Sequence, residues 1–259
     1  MSKYYYVGTL LPSLSFDAAP DMSFAELQPI LQDQLSVKDL GKVKLLRQFY
    51  DLLNLKALWL HEPLDMRGGM DRVELEDILA GHSGMAPFVY EFLSMYEKTA
   101  DRVRHFPQLL AQFFQAALKE KDPLLQRYFR FERESRLILT ALRAKKMKRD
   151  LAAEFCYENS DEEWIAQILS QKDAKDFEPP EKYRDLKMLF DKYADQPLDL
   201  QKAFDQYRFE SVEKMVDLSD QFSMERILVH LIQLILVEHA LALDKNKGKA
   251  IVETLIKET

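Results

Sequence analysis

"ERESRLILTALRAKKMKRDL", residues 132–151, opens on two acids and two arginines, runs into an apolar stripe and closes on a dense basic run. Leu137, Ile138, Ala141 and Leu142 recur at the spacing of one helix face, while Arg130, Arg133, Glu134 and Arg136 lie off it. The segment therefore reads as a helix with a core side and a charged side. Arg143, Lys145, Lys146, Lys148 and Arg149 crowd its C-terminal end, where the helix dipole favours each cation by about 0.3–1 kcal/mol. Five cations exceed what a cap requires and suggest an anionic partner. A solvated face, an acidic protein or membrane-proximal surface, and nucleic acid all remain open, although the run lacks the interleaved aromatics on which bases stack.

The same helical grammar extends in both directions. Ser23 with Glu26, Asp71 with Glu74 and Ser160 with Glu163 have capping-box spacing, and Asp122 stands before Pro123, a residue suited to the first helical position. Between these signals the pattern predicts helices over 23–35, 39–60, 71–80, 87–103, 107–119, 123–147, 160–170, 180–193, 199–217 and 223–243, with a last one over 246–257. "KYYYVGTLL" (3–11) has β-like composition but no partner strand, so it reads as an extended strip or a docked helix. Loops are expected at 62–71, around Gly68-Gly69, and at 171–182, which ends in a double proline.

Composition agrees with an all-α class. The chain has 259 residues, 47% of them hydrophobic and 31% charged, with only 7 glycines, fewer than strand-and-turn folds usually need. That length can bury a core without disulfides or metal. A net charge of −7 argues against a protein whose main business is coating nucleic acid. Cys156 is the one cysteine, so no internal disulfide is possible; it reads as a small buried hydrophobe. The greasiest stretch, 227–243, is interrupted by His230, Gln233, Glu238 and His239, so it reads as a buried central helix and not a bilayer span. No secretory leader is expected at the N-terminus, whose apolar run is short and broken by Gly8 and Pro12.

Templates for chemistry are missing from the sequence. There is no Gly-rich phosphate loop, HExxH pair, Cys-x-x-Cys or Gly-x-Ser-x-Gly elbow. His230 and His239 stand nine positions apart on one helix and face different ways, unlike i, i+4 metal ligands. His61 and His82 flank the glycine loop and are the remaining pair that can approach. The expectation is no catalytic residue, no cofactor and no metal.

Three stretches echo one another: "LLRQFYDLLNLKALW" (45–59), "LLQRYFRFERESRLIL" (124–139) and, more apolar, "ERILVHLIQLILVEHALAL" (225–243). The first two share a Leu-Leu, two-polar, double-aromatic opening.

Taken together, "YYYVGTLLPSL", "LLRQFYDLLNLKAL", "EPLDMRGGMDRVELEDIL", "RYFRFERESRLILTALRAKKMKRDLA", "PLDLQKAFDQYRFESVEKM" and "FSMERILVHLIQLILVEHALALDKNKGKAIVETLI" resemble, in order and across nearly the whole chain, an uncharacterised bacterial family. Its members are typically encoded among the components of a bacterial V-type ATPase, as in chlamydiae and Bacteroidetes. That family in turn resembles the C-type central-stalk component of archaeal-type ATPases, the equivalent of the d-type component of eukaryotic V-type ATPases. The resemblance implies a funnel-like array of three pseudo-repeated helical modules that sits on the membrane rotor ring, receives the foot of the central axle, and catalyses nothing.

The family's repeated element is an acid followed by Asn-Leu and a leucine-rich stretch. Asp51, Asn54, Leu55 and Leu58 match it in the first copy; Glu134, Leu137 and Leu142 match it in the second, with Ser135 in place of the amide; Glu238 with Leu241 would be the third, again without the amide. The resemblance thus implies a single helical domain over 1–259 with sub-modules 1–85, 86–178 and 179–259. It further implies the V-type ATPase axle and rotor-ring proteins as partners, with Arg143, Lys145, Lys146, Lys148 and Arg149 as the partner interface, and a cytoplasmic location, peripheral at the inner membrane face through protein contacts. The alternative is a free-standing helical adaptor that binds nucleic acid or an acidic protein through 143–149.

Overall fold

Ser23 and Asp71 each accept from the backbone N–H three residues on, while Glu26 and Glu74 reach back to the N-cap N–H, so two expected capping boxes start α2 (Phe24–Gln34) and α4 (Arg72–Leu79). The computed structural model to which they belong describes residues 4–216 and 222–243, which are all-helical and contain no strand. The chain divides into two compact units, Met1–Leu35 with Arg184–Thr259, and Ser36–Tyr183.

The unit formed by 36–183 is organised on two long helices, α3 (Val37–Trp59) and α8 (Pro123–Lys146). Asp122 caps α8 by accepting from the N–H groups of Leu124 and Leu125 at 3.0 and 3.1 Å, and Pro123 occupies the first turn, as its fixed φ allows. An aromatic core fills the space between α3, α7 (Phe106–Ala117) and α8: Phe49 lies 5.7 Å from Phe113, which lies 5.5 Å from Phe129. Full burial of each such ring contributes about 1.5–3 kcal/mol. The shorter α9 (Leu151–Glu154) and α10 (Glu163–Leu169) follow α8, and a 3-10 turn at Glu181–Tyr183 ends the unit.

Two expected helix boundaries fail in this unit. The helix expected over 87–103 is two, α5 (Pro87–Met95) and α6 (Thr99–Arg104). Tyr96 leaves helical geometry between them, at φ −120°, because its ring stacks 4.4 Å from His105, its hydroxyl donates to Gln108 Oε1 at 2.8 Å, and Arg102 Nε donates to its carbonyl at 2.6 Å. Tertiary partners outweigh local helix propensity here. Nor does Ser160 cap α10: the N-cap is Glu162, and Asn159 turns the preceding chain by accepting from Asp161 N at 3.1 Å.

In the other unit α12 (Pro197–Glu213) packs along α13 (Met224–Ala242), with α11 (Arg184–Tyr193) against α12. α1 (Tyr5–Leu10) and α2 contact α13, so the tyrosine-rich N-terminus is a docked helix; Tyr5 lies 4.8 Å from Phe222. Every residue from Ile227 to Val237 is buried, so α13 is the enclosed helix that its composition predicts. The expected helix over 246–257 and the ends of those over 199–217 and 223–243 fall partly or wholly outside the described residues or just past the observed bounds. No helix of the described residues is long and apolar enough to cross a membrane.

Candidate functional site

α3 carries the first expected motif copy on a buried face. Asp51 is 3% exposed and Asn54 1%, and both reach the loop that joins α3 to α4. Asp51 Oδ1 accepts from Gly69 N at 2.6 Å and Met70 N at 3.0 Å; Asn54 Nδ2 donates to Asp65 O at 2.9 Å while its Oδ1 accepts from Asp65 N at 2.7 Å. Arg47 adds a third clamp, its Nε donating to Arg67 O at 3.1 Å and its Nη2 to Gly68 O. Gly68 is required by this closeness: a Cβ there would stand 2.5 Å from Asn54 Nδ2 and 2.7 Å from Asp51 Oδ1. The Gly68-Gly69 pair therefore lets backbone approach an acid and an amide within the fold. Burial raises the Asp51 carboxyl above its ordinary value, against the two N–H donors and Arg47, which pull it down.

α8 carries the second expected copy, and here the expected charged side is a buried one. Glu132, Arg133, Glu134 and Ser135 are all buried, whereas Leu137 is only half-buried. The face can be enclosed because each of its charges meets a partner. Arg133 donates to Glu162 at 2.8 and 2.9 Å and to Glu158 at 2.6 Å. Burial works against its charge, but the two carboxylates outweigh it and hold the guanidinium above its ordinary value. Glu134 Oε2 accepts from Lys182 Nζ at 2.6 Å and the Tyr183 hydroxyl at 2.8 Å, and Glu132 Oε1 accepts from Arg136 Nε at 2.6 Å.

The third expected copy divides its roles. Glu238 Oε1 accepts from Phe24 N at 2.8 Å and so caps the start of α2, while Leu241 is half exposed. A buried acid nearby, which no sequence motif marks, is Asp205 of α12, fully inaccessible. Its Oδ2 meets His239 Nδ1 at 2.6 Å, and its Oδ1 accepts from Arg208 Nη1 at 3.0 Å and Gln201 Nε2 at 3.1 Å. Burial would raise the Asp205 carboxyl, but His239, Arg208 and Gln201 outweigh it and hold it below its ordinary value. The signal that could have found it is the "FDQYR" of 204–208: an aromatic, an acid and a polar residue three positions on, as in "YDLLN" of 50–54.

The basic run 143–149 separates residue by residue. Lys145 Nζ donates at 2.7 Å to each of the carbonyls of Gln171, Lys172 and Ala174, and so closes the turn after α10. Lys148 takes the left-handed conformation, φ +55°, with Arg149 N bonded to Ala144 O at 2.8 Å and Lys148 N to Lys145 O at 3.1 Å, the bond pair of a Schellman motif. Arg149 pairs with Glu154 at 2.8 Å. The side chains of Arg143, Lys146 and Lys148 are exposed.

The remaining sequence candidates are placed elsewhere. Cys156 is exposed, not a buried hydrophobe: it lies in the turn after α9, where its neighbour Phe155 takes the buried position. His61 and His82 both belong to helix ends: His61, φ +57°, terminates α3, with Glu62 N bonded to Ala57 O at 2.8 Å, and His82 N bonds Asp77 O at 3.0 Å after α4. His230 is buried and His239 engaged with Asp205, so the two do face different surroundings. Among the described residues no group of three or more His, Cys, Asp or Glu could hold a metal ion.

The model of the family described as protein of unknown function (DUF2764) matches residues 1–259, and the chain belongs to that family. It is 28% identical over 219 residues to an uncharacterized protein of Chlamydia pneumoniae, covering 82% of each chain. It is 25% identical over 263 residues to one of Chlamydia trachomatis serovar D and 24% identical to one of Chlamydia muridarum, in each case over 99% of this chain and 98% of the relative. No solved structure matches.

Proposed function

We propose that this DUF2764 protein is a non-catalytic central-stalk component of a bacterial V-type ATPase, similar to the C-type or d-type stalk component, that couples the axle to the membrane rotor ring. The observation that carries the reading is the Asp51–Asn54 pair. The motif of an acid followed by Asn-Leu falls on two buried side chains that fasten a surface loop to a 23-residue helix. Buried polar groups of this kind on α3, α8 and α12 cross-link neighbouring elements, and a torque-transmitting strut needs such stiffness. These side chains resist shear because breaking one contact leaves an unpartnered charge or amide inside the protein.

In this proposal the protein has no turnover, meets axle and ring proteins at the cytoplasmic membrane face without inserting, and does not bind nucleic acid. Of the basic run, Lys146 and Lys148 contribute to the partner contact, whereas Lys145 holds the 171–174 turn.

The test is capture of the tagged protein from detergent extracts of its native cells, with mass spectrometry of what accompanies it. Recovery of rotary ATPase axle and ring proteins is the expected result. Recovery of nucleic acid or an unrelated acidic protein at low salt, without those components, favours the adaptor reading instead. Charge reversal at Lys146 and Lys148 with Lys145 left in place should weaken recovery; unchanged assembly would remove this run from the interface.

A further inference from the structure

The first turns of α3 and the α7–α8 turn enclose an open cleft of about 670 Å³ in the unit 36–183. Four lysines line it, Lys38, Lys42, Lys119 and Lys121, against two acids, Glu120 and Asp122. The lining carries an excess of two positive charges, which Asp39, 3.7 Å from Lys42 Nζ, reduces to one, in a chain of net charge −7. One of the acids is already engaged: Asp122 takes Lys42 Nζ at 2.7 Å and the α8 N–H groups of Leu124 and Leu125. Burial works to raise that carboxyl, but Lys42 and the two N–H donors hold it below its ordinary value, so it stays charged and paired.

Lys38, Lys119 and Lys121 are exposed around this paired centre. Their convergence lacks a full structural motive. Lys119 follows the C-terminal end of α7, where a cation complements the dipole, but Lys38 lies in the first turn of α3 and Lys121 immediately precedes α8, where dipoles disfavour cations. The N-terminal ends of α3 and α8 and the lysines beside them raise the positive potential of the cleft, against Glu120 and the C-terminal end of α7. Gly41, an exposed lining position, adds no side chain to the cleft, and a Cβ there would meet nothing within 4 Å.

We propose that this cleft binds a small, multiply charged oligophosphate. The volume is in the range of ligand pockets, about 300–1,000 Å³. Lysine supplies mobile, compact point charges that can each meet phosphate oxygens. No aromatic side chain lines it, so a nucleobase has no stacking surface and the phosphate chain is the recognised part. Ser36 already takes the Asp39 N–H of α3 and Asp122 those of Leu124 and Leu125 in α8, so the ligand is held chiefly by side-chain ammonium groups and the helix field. This inference does not depend on the stalk reading.

The test is calorimetric titration of the full chain with inorganic triphosphate at about 50 mM and about 200 mM salt, a range over which screening of exposed charges changes substantially. Binding is expected that weakens with salt and falls at least ~10-fold in the K38Q/K119Q/K121Q variant and in Gly41→Glu, which sets a negative charge in the lining. K146Q/K148Q, away from the cleft, should bind as the parent does. Thermal midpoints of K38Q/K119Q/K121Q and K146Q/K148Q should match the parent, because the replaced side chains are exposed, and that of Gly41→Glu should not fall, because an exposed glycine inside α3 disfavours the helix. No binding, equal binding by the cleft variants, or equal loss in K146Q/K148Q would overturn the proposal. Tighter binding of an oligoglutamate peptide than of triphosphate, lost in the same variants, would overturn it in favour of an acidic-protein dock.

Discussion

The Asn54 side chain and the Asp65 backbone exchange two hydrogen bonds across eleven positions of sequence, at 2.9 and 2.7 Å. A buried amide of α3 thereby fixes the path of a loop that carries the 90%-exposed Met66. Asn54→Leu should cost about 2–3 kcal/mol, the sum of two lost bonds and partly unsatisfied backbone groups. The loop should then be cut by protease at 62–70 well before the rest of the chain, in conditions where the parent resists. Gly68→Ala should show the same cleavage, since its Cβ would displace both Asn54 and Asp51. Equal protection in both variants would mean the loop is held by other contacts.

The Asp205 network should be among the most sensitive positions in its unit. Asp205→Ala removes the carboxylate that faces Arg208, 3% exposed, a loss of about 3–5 kcal/mol read by urea unfolding. The folded pKa of Asp205 is depressed, so its contribution is present above the unfolded carboxylate value and is lost as pH falls through the folded one. The parent and Asp205→Ala stabilities should therefore converge toward the acid end of the pH range.

His230 predicts a separate acid limb. Its Nε2 has no hydrogen-bond partner among the described residues, and burial, aided by Arg226 nearby, pushes the imidazole down to about 4. Between that value and the ordinary 6.5 the unfolded chain binds a proton that the folded one does not, so stability falls as pH drops through the window. The full loss is about 3 kcal/mol. His230→Leu should flatten the curve of unfolding free energy between those two pH values and leave the limb below them unchanged.

Lys148 offers a stabilising change. A lysine in left-handed conformation at φ +55° stands where helices usually place glycine, at a conformational cost of roughly 1 kcal/mol. Lys148→Gly should raise the unfolding free energy by about 0.5–1 kcal/mol, measured by denaturant midpoint at constant slope. A decrease would show that the lysine side chain contributes more than the backbone strain removes.

Lys145 and its neighbours separate structure from surface within one basic run. Lys145→Gln loses three charge-assisted bonds to carbonyls and should destabilise by about 1–3 kcal/mol, whereas Lys148→Gln, exposed, should stay within about 0.5 kcal/mol of the parent. The thermal midpoints of the two single variants are the direct comparison.

Helix identity and most boundaries were legible in the sequence because they depend on neighbours in the chain. Ser23 with Glu26, Asp71 with Glu74 and Asp122 before Pro123 mark helix starts through bonds spanning two or three residues, and the apolar run of 227–237 specifies an enclosed helix by composition alone. Asp51 and Asn54 stand out only through the family resemblance, whose repeated element they match.

What each polar group does was decided only in three dimensions. Arg133 and Glu134 look like a solvent face until Glu158, Glu162, Lys182 and Tyr183 arrive from 25 to 49 positions away. Lys145 looks like part of a surface patch until the 171–174 carbonyls meet it, and Tyr96 breaks a helix for a stack on His105. A charge or an amide is exposed or buried according to whether a partner compensates its desolvation, and that partner's position is a property of the packed chain, invisible to any window of sequence.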